Sequence, residues 1–258
     1  MTDLAAASVP VSVVIAARNE GDEIADCIAS VRWASEVLVV ENDSRDDTIA
    51  RARAAGATVF SHPFTTIGAQ RNAAIARAAE AWILVVDADE RGTTALGAAV
   101  AHLIGARSDA HAWRIGRRNF FLGREIRHGG WERDRPVRLF PRTLRYDERP
   151  VHEHVMTGDT AVSTLPEPLL HTPYATLGEY LEKLTRYSQS WAEQAFASGR
   201  RASPLVAVVK APARFLSMFF VRGGWRDGAH GAILAVLAAV SVATKYACLW
   251  SLSRQRDR

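Results

Sequence analysis

Two aspartates, Asp87 and Asp89, are separated by one small residue and directly follow the apolar run 81–86. A short apolar run with β-branched residues predicts a buried strand. Two carboxylates at its end can hold one divalent cation against a diphosphate, because Mg²⁺ takes one or two carboxylates together with phosphate oxygens. The cation would stabilise charge on the leaving phosphate. An acidic turn has the same composition, so both interpretations stay open at this point.

Polar residues also follow two earlier apolar runs, 11–16 and 36–41. Arg18 and Glu20 come after the first run, and Glu41 closes the second. A carboxylate at Glu41 could accept a hydrogen bond from a base or a ribose, as the acidic residue does in dinucleotide-binding folds. The alternative is a set of ordinary turn formers.

Two further positions could take part in chemistry. Arg71 lies on a predicted helix that is otherwise rich in Ala and Ile, and it could reach a phosphate or remain in solvent. Glu153 stands between His152 and His154, without the i, i+4 histidine spacing of helical zinc sites. A lone carboxylate that faces an acceptor hydroxyl can act as a general base, whereas the same triplet in a surface loop has no chemical role.

The elements that must position these residues alternate along the chain. Apolar runs predict strands at 11–16, 36–41, 57–60 and 81–86, and helices are predicted between them at 22–33, 48–55 and 68–79. This alternation predicts βαβ units and a mainly parallel sheet, in which ligands bind at the carboxyl ends of the strands. The chain has neither G-x-G-x-x-G after its first strand nor a G-K-[ST] loop, which argues against NAD binding and a P-loop NTPase.

The rest of the chain predicts an extension of the sheet and then helices. Further strands are predicted at 111–119, 135–141 and 161–165, and the helices at 174–198, 205–221 and 229–252.

Composition and charge bound the class of protein. The 258 residues, 48% of them hydrophobic and 23% charged, exclude a disordered, collagen-like or coiled-coil chain. The net charge is +4, yet residues 201–258 hold nine basic and two acidic groups, which leaves the remainder mildly acidic. A basic, apolar helical tail favours an anionic membrane surface, with its helices lying in the interface; a true span or ordinary core helices are the alternatives. Cys27 and Cys248 form no disulfide framework, which is consistent with a reducing cytoplasm.

Taken together, the motifs resemble family 2 glycosyltransferases of the GT-A fold, and the later half looks like bacterial lipopolysaccharide core β-glucosyltransferases of that family. The residues that carry the resemblance are VVIAARNE (13–20), VVENDSRDDT (39–48), QRN (70–72), LVVDADE (84–90), NFFLGR (119–124), RHGGW (127–131), RLF (138–140), VHE (151–153), His171 and GGWRDG (223–228). Residues 1–172 are then expected to form an α/β GT-A domain, with a nucleotide-sugar half at about 10–106 and an acceptor half at about 107–172. Residues 173–258 are expected to form a basic, amphipathic helical extension at the membrane interface.

The resemblance implies a nucleotide-diphosphate-sugar donor, with a UDP-hexose favoured, and Mg²⁺ or Mn²⁺ as the cofactor. It also implies inverting transfer by direct displacement. The donor would be contacted by Ala16, Arg18, Glu20, Glu41, Arg71, Asp87 and Ala88. The metal would be bound by Asp89, with Asp87 secondary and His152 or His171 as additional ligands. The base would be Glu153, and the acceptor side would include Trp131, Arg138 and His152. The family usually has Asp where this chain has Glu41, so base recognition is expected to differ in detail.

The sequence therefore predicts a metal-dependent hexosyltransferase, peripherally bound at the inner face of the plasma membrane. It would elongate a lipid-linked glycan such as lipopolysaccharide core, without nucleic acid as a partner. Three alternatives remain at this stage: a polyprenyl-phosphate sugar synthase, a sugar-1-phosphate nucleotidyltransferase, and a non-catalytic membrane adaptor. The oligomeric state is left open.

Overall fold

The computed structural model describes residues 8–106, 111–131, 134–149, 153–174 and 176–255. The chain divides into two compact units. The first comprises Met1–Arg117 and Asp134–His171, and the second comprises Arg118–Arg133 and Thr172–Arg258.

A mixed β-sheet with helices on both faces forms the first unit. Its elements are β1 (Val9–Ala17), α1 (Ile24–Ser30), β2 (Ala34–Glu41), α2 (Thr48–Ala54), β3 (Thr58–Ser61), α3 (Ile67–Ile75), β4 (Trp82–Val85), β5 (Glu90–Arg91), α4 (Thr94–Gly105), β6 (His111–Phe121, whose last residues belong to the second unit), β8 (Val137–Pro141) and β9 (Ala161–His171). The strand order is β3-β2-β1-β4-β8-β6-β9-β5. The predicted βαβ units and the predicted α/β class are confirmed.

Strand register places the site residues at one edge of this sheet. β1 pairs in parallel with β2 and β4, so the carboxyl ends of these three strands meet. β8 runs antiparallel to β4, with Leu139 opposite Leu84, and β6 runs antiparallel to β8. The amino end of β8 therefore lies beside the carboxyl end of β4, where Asp87 and Asp89 follow.

The core explains why the parallel strands are continuously apolar. Val13 and Ile15 of β1 pack in a cluster with Ile24 of α1, whereas Val14 packs in a second cluster with Ile75 of α3. A strand that is covered on both faces needs apolar residues at every position.

One α-helix and two strands were not predicted from the sequence. They are α4, β5 and the short strand β7 (Arg124–Ile126). The N-cap of α4 is Thr93, whose hydroxyl accepts a hydrogen bond from the Leu96 amide. β9 also extends to His171, beyond its predicted end at residue 165. This extension brings His171 opposite Glu90 of β5.

The second unit consists of helices and a β-hairpin. Its helices are α5 (Leu177–Ala197), α6 (Pro204–Leu216), a π-helical turn (Ser217–Val221), a 3₁₀ turn (Gly224–Asp227) and α7 (Gly228–Gln255). The end of β6 pairs with β7 to form the hairpin. The sequence placed residues 118–133 in the acceptor half of the first domain. In the structure, Phe121 and Ile126 of this segment pack with Tyr180 and Met218 of the second unit, and the domain boundaries drawn from the sequence stay a prediction.

Two helices of the second unit are long and apolar enough to cross a membrane, judged by length and composition in the described residues. They cover Pro204–Val221 and Gly224–Arg254, with mean hydropathies of 1.5 and 2.0. The predicted apolar C-terminal helices are thus confirmed. Between α6 and α7 lies a tip with exposed Phe220, Val221 and Trp225, and with exposed Arg222 and Arg226.

The glycine-rich tip is held firmly in place within the second unit. Both carboxylate oxygens of Asp227 accept hydrogen bonds from His128, one from its amide at 2.9 Å and one from its Nδ1 at 3.0 Å. A Cβ on Gly231 would lie 1.9 Å from the carbonyl oxygen of Gly224, so no larger residue fits there. These contacts therefore fix the conformation of the tip.

Candidate active site

A polar cavity of about 710 Å³ lies within the first unit. It is lined by Arg71, Asp87, Arg114, Arg117, Asp134, Arg135, Pro136, Val137, Arg138, Tyr146, Glu153, His154, Val155 and Thr157. Arginines outnumber the acidic residues in this lining, five to three. A cavity with that charge favours an anionic ligand over a neutral one.

Asp87 is the centre of an ion-pair network at the wall of this cavity. Its Oδ1 accepts a hydrogen bond from Arg71 Nη2 at 2.6 Å, and its Oδ2 accepts one from Arg117 Nη2 at 2.7 Å. Arg138, which is 2% exposed, donates to both oxygens. The fully buried Glu90 pairs with Arg117 and Arg138, and its Oε2 accepts a hydrogen bond from the Asp87 amide at 2.8 Å. This network fixes the turn that follows β4.

The network keeps Asp87 ionised. Burial alone would raise the pKa of Asp87, but Arg138, Arg71 and Arg117 outweigh it and hold this pKa well below its ordinary value. Burial would lower the pKa of Arg138, whereas Asp87 and Glu90 raise it well above its ordinary value.

We expect D87N to lower the free energy of unfolding by about 3 kcal/mol at neutral pH, because it removes the carboxylate that Arg71, Arg117 and Arg138 share and leaves them with fewer negative charges than before. A carboxyl group whose pKa is lower in the folded state stabilises the protein above its unfolded pKa of about 3.9, and this stabilisation is lost as the pH falls through the folded pKa. In urea unfolding, the free energy of unfolding of D87N should therefore lie below that of the native chain by a constant amount from pH 8 to 5. This difference should become smaller below pH about 4. D22N, at a side chain that is 98% exposed, is the control. If the difference in unfolding free energy disappears between pH 7 and 5, the pKa of Asp87 is not lowered in the folded protein.

Arg71 connects this network to Glu153. Its Nη1 donates to Glu153 Oε1 at 2.6 Å, while its Nη2 donates to Asp87. The neighbours of Arg71 on α3 hold it there: Gln70 donates to the carbonyl oxygens of residues 62 and 63, and Asn72 exchanges two hydrogen bonds of 2.9 Å with the backbone of Tyr146. The Arg71 guanidinium also lies 5.0 Å from the centre of the Tyr146 ring. The Gln-Arg-Asn motif thus positions the Arg71 guanidinium at the cavity.

Glu153, the predicted general base, lies at the cavity, and its role as a base stays a prediction. It lines the cavity, and its side chain is 19% exposed, so one carboxylate oxygen is held by Arg71 while the group remains reachable. His154 lines the same cavity. His152 lies outside the described residues, so its predicted roles at the metal and at the acceptor stay predictions.

Asp89 turns to a different partner. Its Oδ2 lies 3.5 Å from His171 Nε2. Two ligand atoms on one octahedral cation with bonds of about 2.1 Å lie about 3 Å apart, so this pair fits the binding of Mn²⁺ or Mg²⁺. The described residues hold no group of three or more His, Cys, Asp or Glu side chains that could bind a metal ion. A cation between Asp89 and His171 would therefore need further ligands, and the phosphate oxygens of a donor are of the right kind.

The residues predicted for the nucleoside lie at the ends of β1 and β2. Glu41 is 3% exposed, and its carboxylate accepts hydrogen bonds from the Ser61 hydroxyl and, at 3.2 Å, from the Ser44 amide. Glu20 donates its amide to the Thr48 hydroxyl at 2.8 Å. The loops after the two strands are also joined, because Asn19 Oδ1 accepts a hydrogen bond from the Arg45 amide.

Exposure differs among the other predicted donor contacts. Arg18 is exposed, Ala16 is partly buried within β1, and Ala88 is buried between the two aspartates. Their roles at the donor stay predictions.

Two predicted acceptor residues have other partners in the structure. Arg138 lines the cavity but is buried and paired with Asp87 and Glu90. These ion pairs stabilise the turn after β4. Trp131 lies in the second unit, where its carbonyl oxygen accepts a hydrogen bond from Asn119 Nδ2 at 2.8 Å. Their contact with an acceptor stays a prediction.

Three residues around Asp87 and Arg71 were not predicted from the sequence: Arg117, Glu90 and Tyr146. Glu90 directly follows the Asp-Ala-Asp triplet, and this adjacency was the one available signal for it. Arg117 and Tyr146 come from distant segments, and only the fold of the chain brings them to the cavity.

Comparison with known proteins identifies the family. The model of "Glycosyl transferase family 2" matches residues 12–162, which is more than half of the chain. The match includes both strand-end carboxylate motifs, Arg71 and Glu153. It supports the GT-A type of sheet that the sequence predicted.

Curated relatives extend the similarity over nearly the whole chain. A "lipopolysaccharide core biosynthesis glycosyltransferase LpsC" from Rhizobium meliloti is 29% identical over 90% of this chain and 88% of its own length. An uncharacterised glycosyltransferase from Rickettsia typhi is 23% identical over 94% of this chain and 87% of its own.

Two solved structures are each similar over less than half of the chain. Glucosyl-3-phosphoglycerate synthase from Mycobacterium tuberculosis, crystallised with Mn²⁺, UDP and glucosyl-3-phosphoglycerate, is 26% identical over 43% of each chain, with a TM-score of 0.33. Mannosyl-3-phosphoglycerate synthase from Rubrobacter xylanophilus is 23% identical over 43% of this chain and 41% of its own, with a TM-score of 0.38. At such TM-scores neither structure bears on the ligands of this chain.

Proposed function

The chain belongs to glycosyl transferase family 2, and from this premise we propose that it moves a hexose from a UDP-hexose to a hydroxyl group of a lipid-linked glycan, with inversion at the anomeric carbon. The single observation that carries the proposal is the placing of Glu153 and Arg71, 2.6 Å apart, in one cavity with the strand-end residue Asp87. The acceptor class is supported by the name of the Rhizobium relative, a lipopolysaccharide core glycosyltransferase.

The proposed reaction assigns one role to each of these residues. Glu153 takes the proton of the acceptor hydroxyl, and the hydroxyl oxygen forms a bond to the anomeric carbon from the face opposite the diphosphate. The bond between that carbon and the diphosphate oxygen breaks, and the electron pair leaves with the diphosphate. Arg71 offsets the charge that develops there. No covalent intermediate with the enzyme is needed.

Asp89 and His171 would hold the divalent cation that the family uses. When bound, this cation supplies further charge stabilisation for the diphosphate. The protein would supply one carboxylate and one imidazole at the edge of the sheet. Phosphate oxygens of the donor would occupy further coordination positions of the cation.

A polyprenyl-phosphate sugar synthase is the second candidate, since the exposed apolar helices of the second unit would suit a lipid acceptor as well. A phosphate acceptor carries no proton that must be removed at neutral pH, so only the proposed reaction requires a base. The other two alternatives, a nucleotidyltransferase and a non-catalytic adaptor, do not fit a member of a glycosyltransferase family.

A screen of nucleotide sugars tests the donor. We expect UDP-glucose or another UDP-hexose, with Mn²⁺, to raise the unfolding temperature of the full chain, because a ligand at 100 times its Kd adds about 2.7 kcal/mol of stability. GDP-mannose and ADP-glucose are the matched controls. Stabilisation by none of the UDP-sugars, or equal stabilisation by all the nucleotides, would contradict the proposed donor.

The localisation proposed for the chain is the inner face of the plasma membrane, with the tip between α6 and α7 in the interface. Arg222, Trp225 and Arg226 are exposed there beside Phe220 and Val221, and aromatic rings with basic residues are typical of membrane-interface anchors.

We expect R222Q/R226Q to bind phosphatidylglycerol vesicles about 30-fold more weakly than the native chain. The reason is that each basic residue near an anionic surface contributes about 1 kcal/mol. Sedimentation with vesicles measures the effect, and phosphatidylcholine vesicles give the binding that does not depend on charge. R32Q/R53Q removes the same charge from exposed positions of the first unit. Equal weakening in both double variants would contradict a role of the tip.

A further inference from the structure

Two arginines of the cavity differ from the other three. Arg71, Arg117 and Arg138 are each paired with carboxylates at its wall. Arg114 and Arg135 line the same cavity and are exposed, and neither forms an ion pair with any described residue. Guanidinium groups that line a cavity without a carboxylate partner are available to bind an anion.

The fold holds these two arginines together. Arg114 of β6 lies opposite Val137 of β8, and Arg114 Nη1 donates a hydrogen bond of 3.3 Å to the carbonyl oxygen of Arg135. Arg135 also lies beside Gly116 of β6, where a Cβ would be in ordinary van der Waals contact, 3.7 Å from Arg135 Cγ. Both arginines are therefore positioned by the strands that form the edge of the cavity.

The register of β4 and β8 places Arg135 relative to Asp87. The amino end of β8 lies beside the carboxyl end of β4, so Arg135, which comes just before β8, stands at the same sheet edge as Asp87. Glu153 lines the same cavity. Glu153 and the two arginines thus line one cavity of about 710 Å³.

We propose that Arg114 and Arg135 form an anion subsite that binds a phosphate or carboxylate group carried by the acceptor. The inference rests on the proposed function, in which Glu153 faces the acceptor. The arginine guanidinium matches both anions with two parallel hydrogen bonds, and it stays charged at any physiological pH. A neutral sugar would leave both charges unmatched. The acceptor is accordingly an anionic glycan.

Inorganic phosphate is the probe, and the full chain is used with UDP and Mn²⁺ at saturation so that the donor site is filled. Thermal unfolding is followed as phosphate is titrated, with chloride at matched ionic strength as the blank. We expect phosphate to stabilise the native chain and its apparent affinity to fall at least tenfold in R114Q/R135Q. The exposed pair R32Q/R53Q should behave as the native chain does. The Kd for UDP, measured by calorimetry, should stay within twofold in both double variants.

Other outcomes overturn the proposal. Phosphate could fail to stabilise the native chain, or could stabilise R114Q/R135Q equally, and either result excludes an anion subsite at these arginines. A tenfold loss of UDP affinity in R114Q/R135Q would assign the pair to the donor diphosphate instead. If the native chain binds no UDP, the proposed donor is wrong, and the phosphate titration without UDP still decides on the subsite.

Discussion

E153Q is expected to lower kcat for glycosyl transfer by about 10²–10⁴-fold, the range that a positioned general base contributes. The glutamine keeps the size of the side chain and can still accept a hydrogen bond from Arg71, but it cannot take a proton. The Kd for the donor should change little, because the variant leaves Arg71 and Asp87 in place. Steady-state rates with the donor found in the nucleotide-sugar screen, together with donor binding by calorimetry, measure both quantities.

E148Q is the matched control for this experiment. Glu148 is exposed, lies five residues earlier in the same chain segment and does not line the cavity. It should retain native activity. Full activity of E153Q would exclude Glu153 as the base and would favour the polyprenyl-phosphate sugar synthase, whose acceptor needs no deprotonation. Loss of donor binding in E153Q would instead show that Glu153 holds the donor.

The order and type of the elements that carry the site were predictable from local sequence. β1, β2 and β4 are short apolar runs that stop at polar residues, and a strand covered on both faces leaves this signature. The extension of β9 to His171 was not predicted, because Pro166 and Pro168 interrupt its pattern even though Leu165 and Leu169 are buried. α4 was missed although Thr93 caps it.

The residue types at the site were predictable, whereas their partners were not. Asp87 and Asp89 look equivalent in sequence, yet the structure gives Asp87 three arginines and turns Asp89 to His171. The difference arises because the buried Glu90 binds the Asp87 amide and fixes the turn. A pairing over more than 80 residues, as between Asp89 and His171, depends on the antiparallel register of β5 and β9. Local patterns carry no information on such a register.

D89A is expected to abolish the effect of Mn²⁺ on donor binding. In the native chain, calorimetry should give a UDP affinity in Mn²⁺ about 100-fold above that in EDTA, and in D89A the two affinities should be nearly equal. Loss of residues that merely support metal ligands already costs about 10–100-fold in metal affinity, and Asp89 is proposed as a direct ligand. H171Q should reduce the Mn²⁺ effect about tenfold, because one of the two protein ligands remains.

Stability measurements separate this effect from misfolding. Asp89 is partly exposed and pairs with His171 at 3.5 Å, outside the network of Asp87. The unfolding temperature of D89A without ligands should therefore match that of the native chain, in contrast to D87N. D22A, at an exposed position on the same unit, should keep the full Mn²⁺ effect. If D89A binds UDP in Mn²⁺ as tightly as the native chain does, other residues hold the cation. The proposal that Asp87 fixes the turn while Asp89 binds the metal is then wrong.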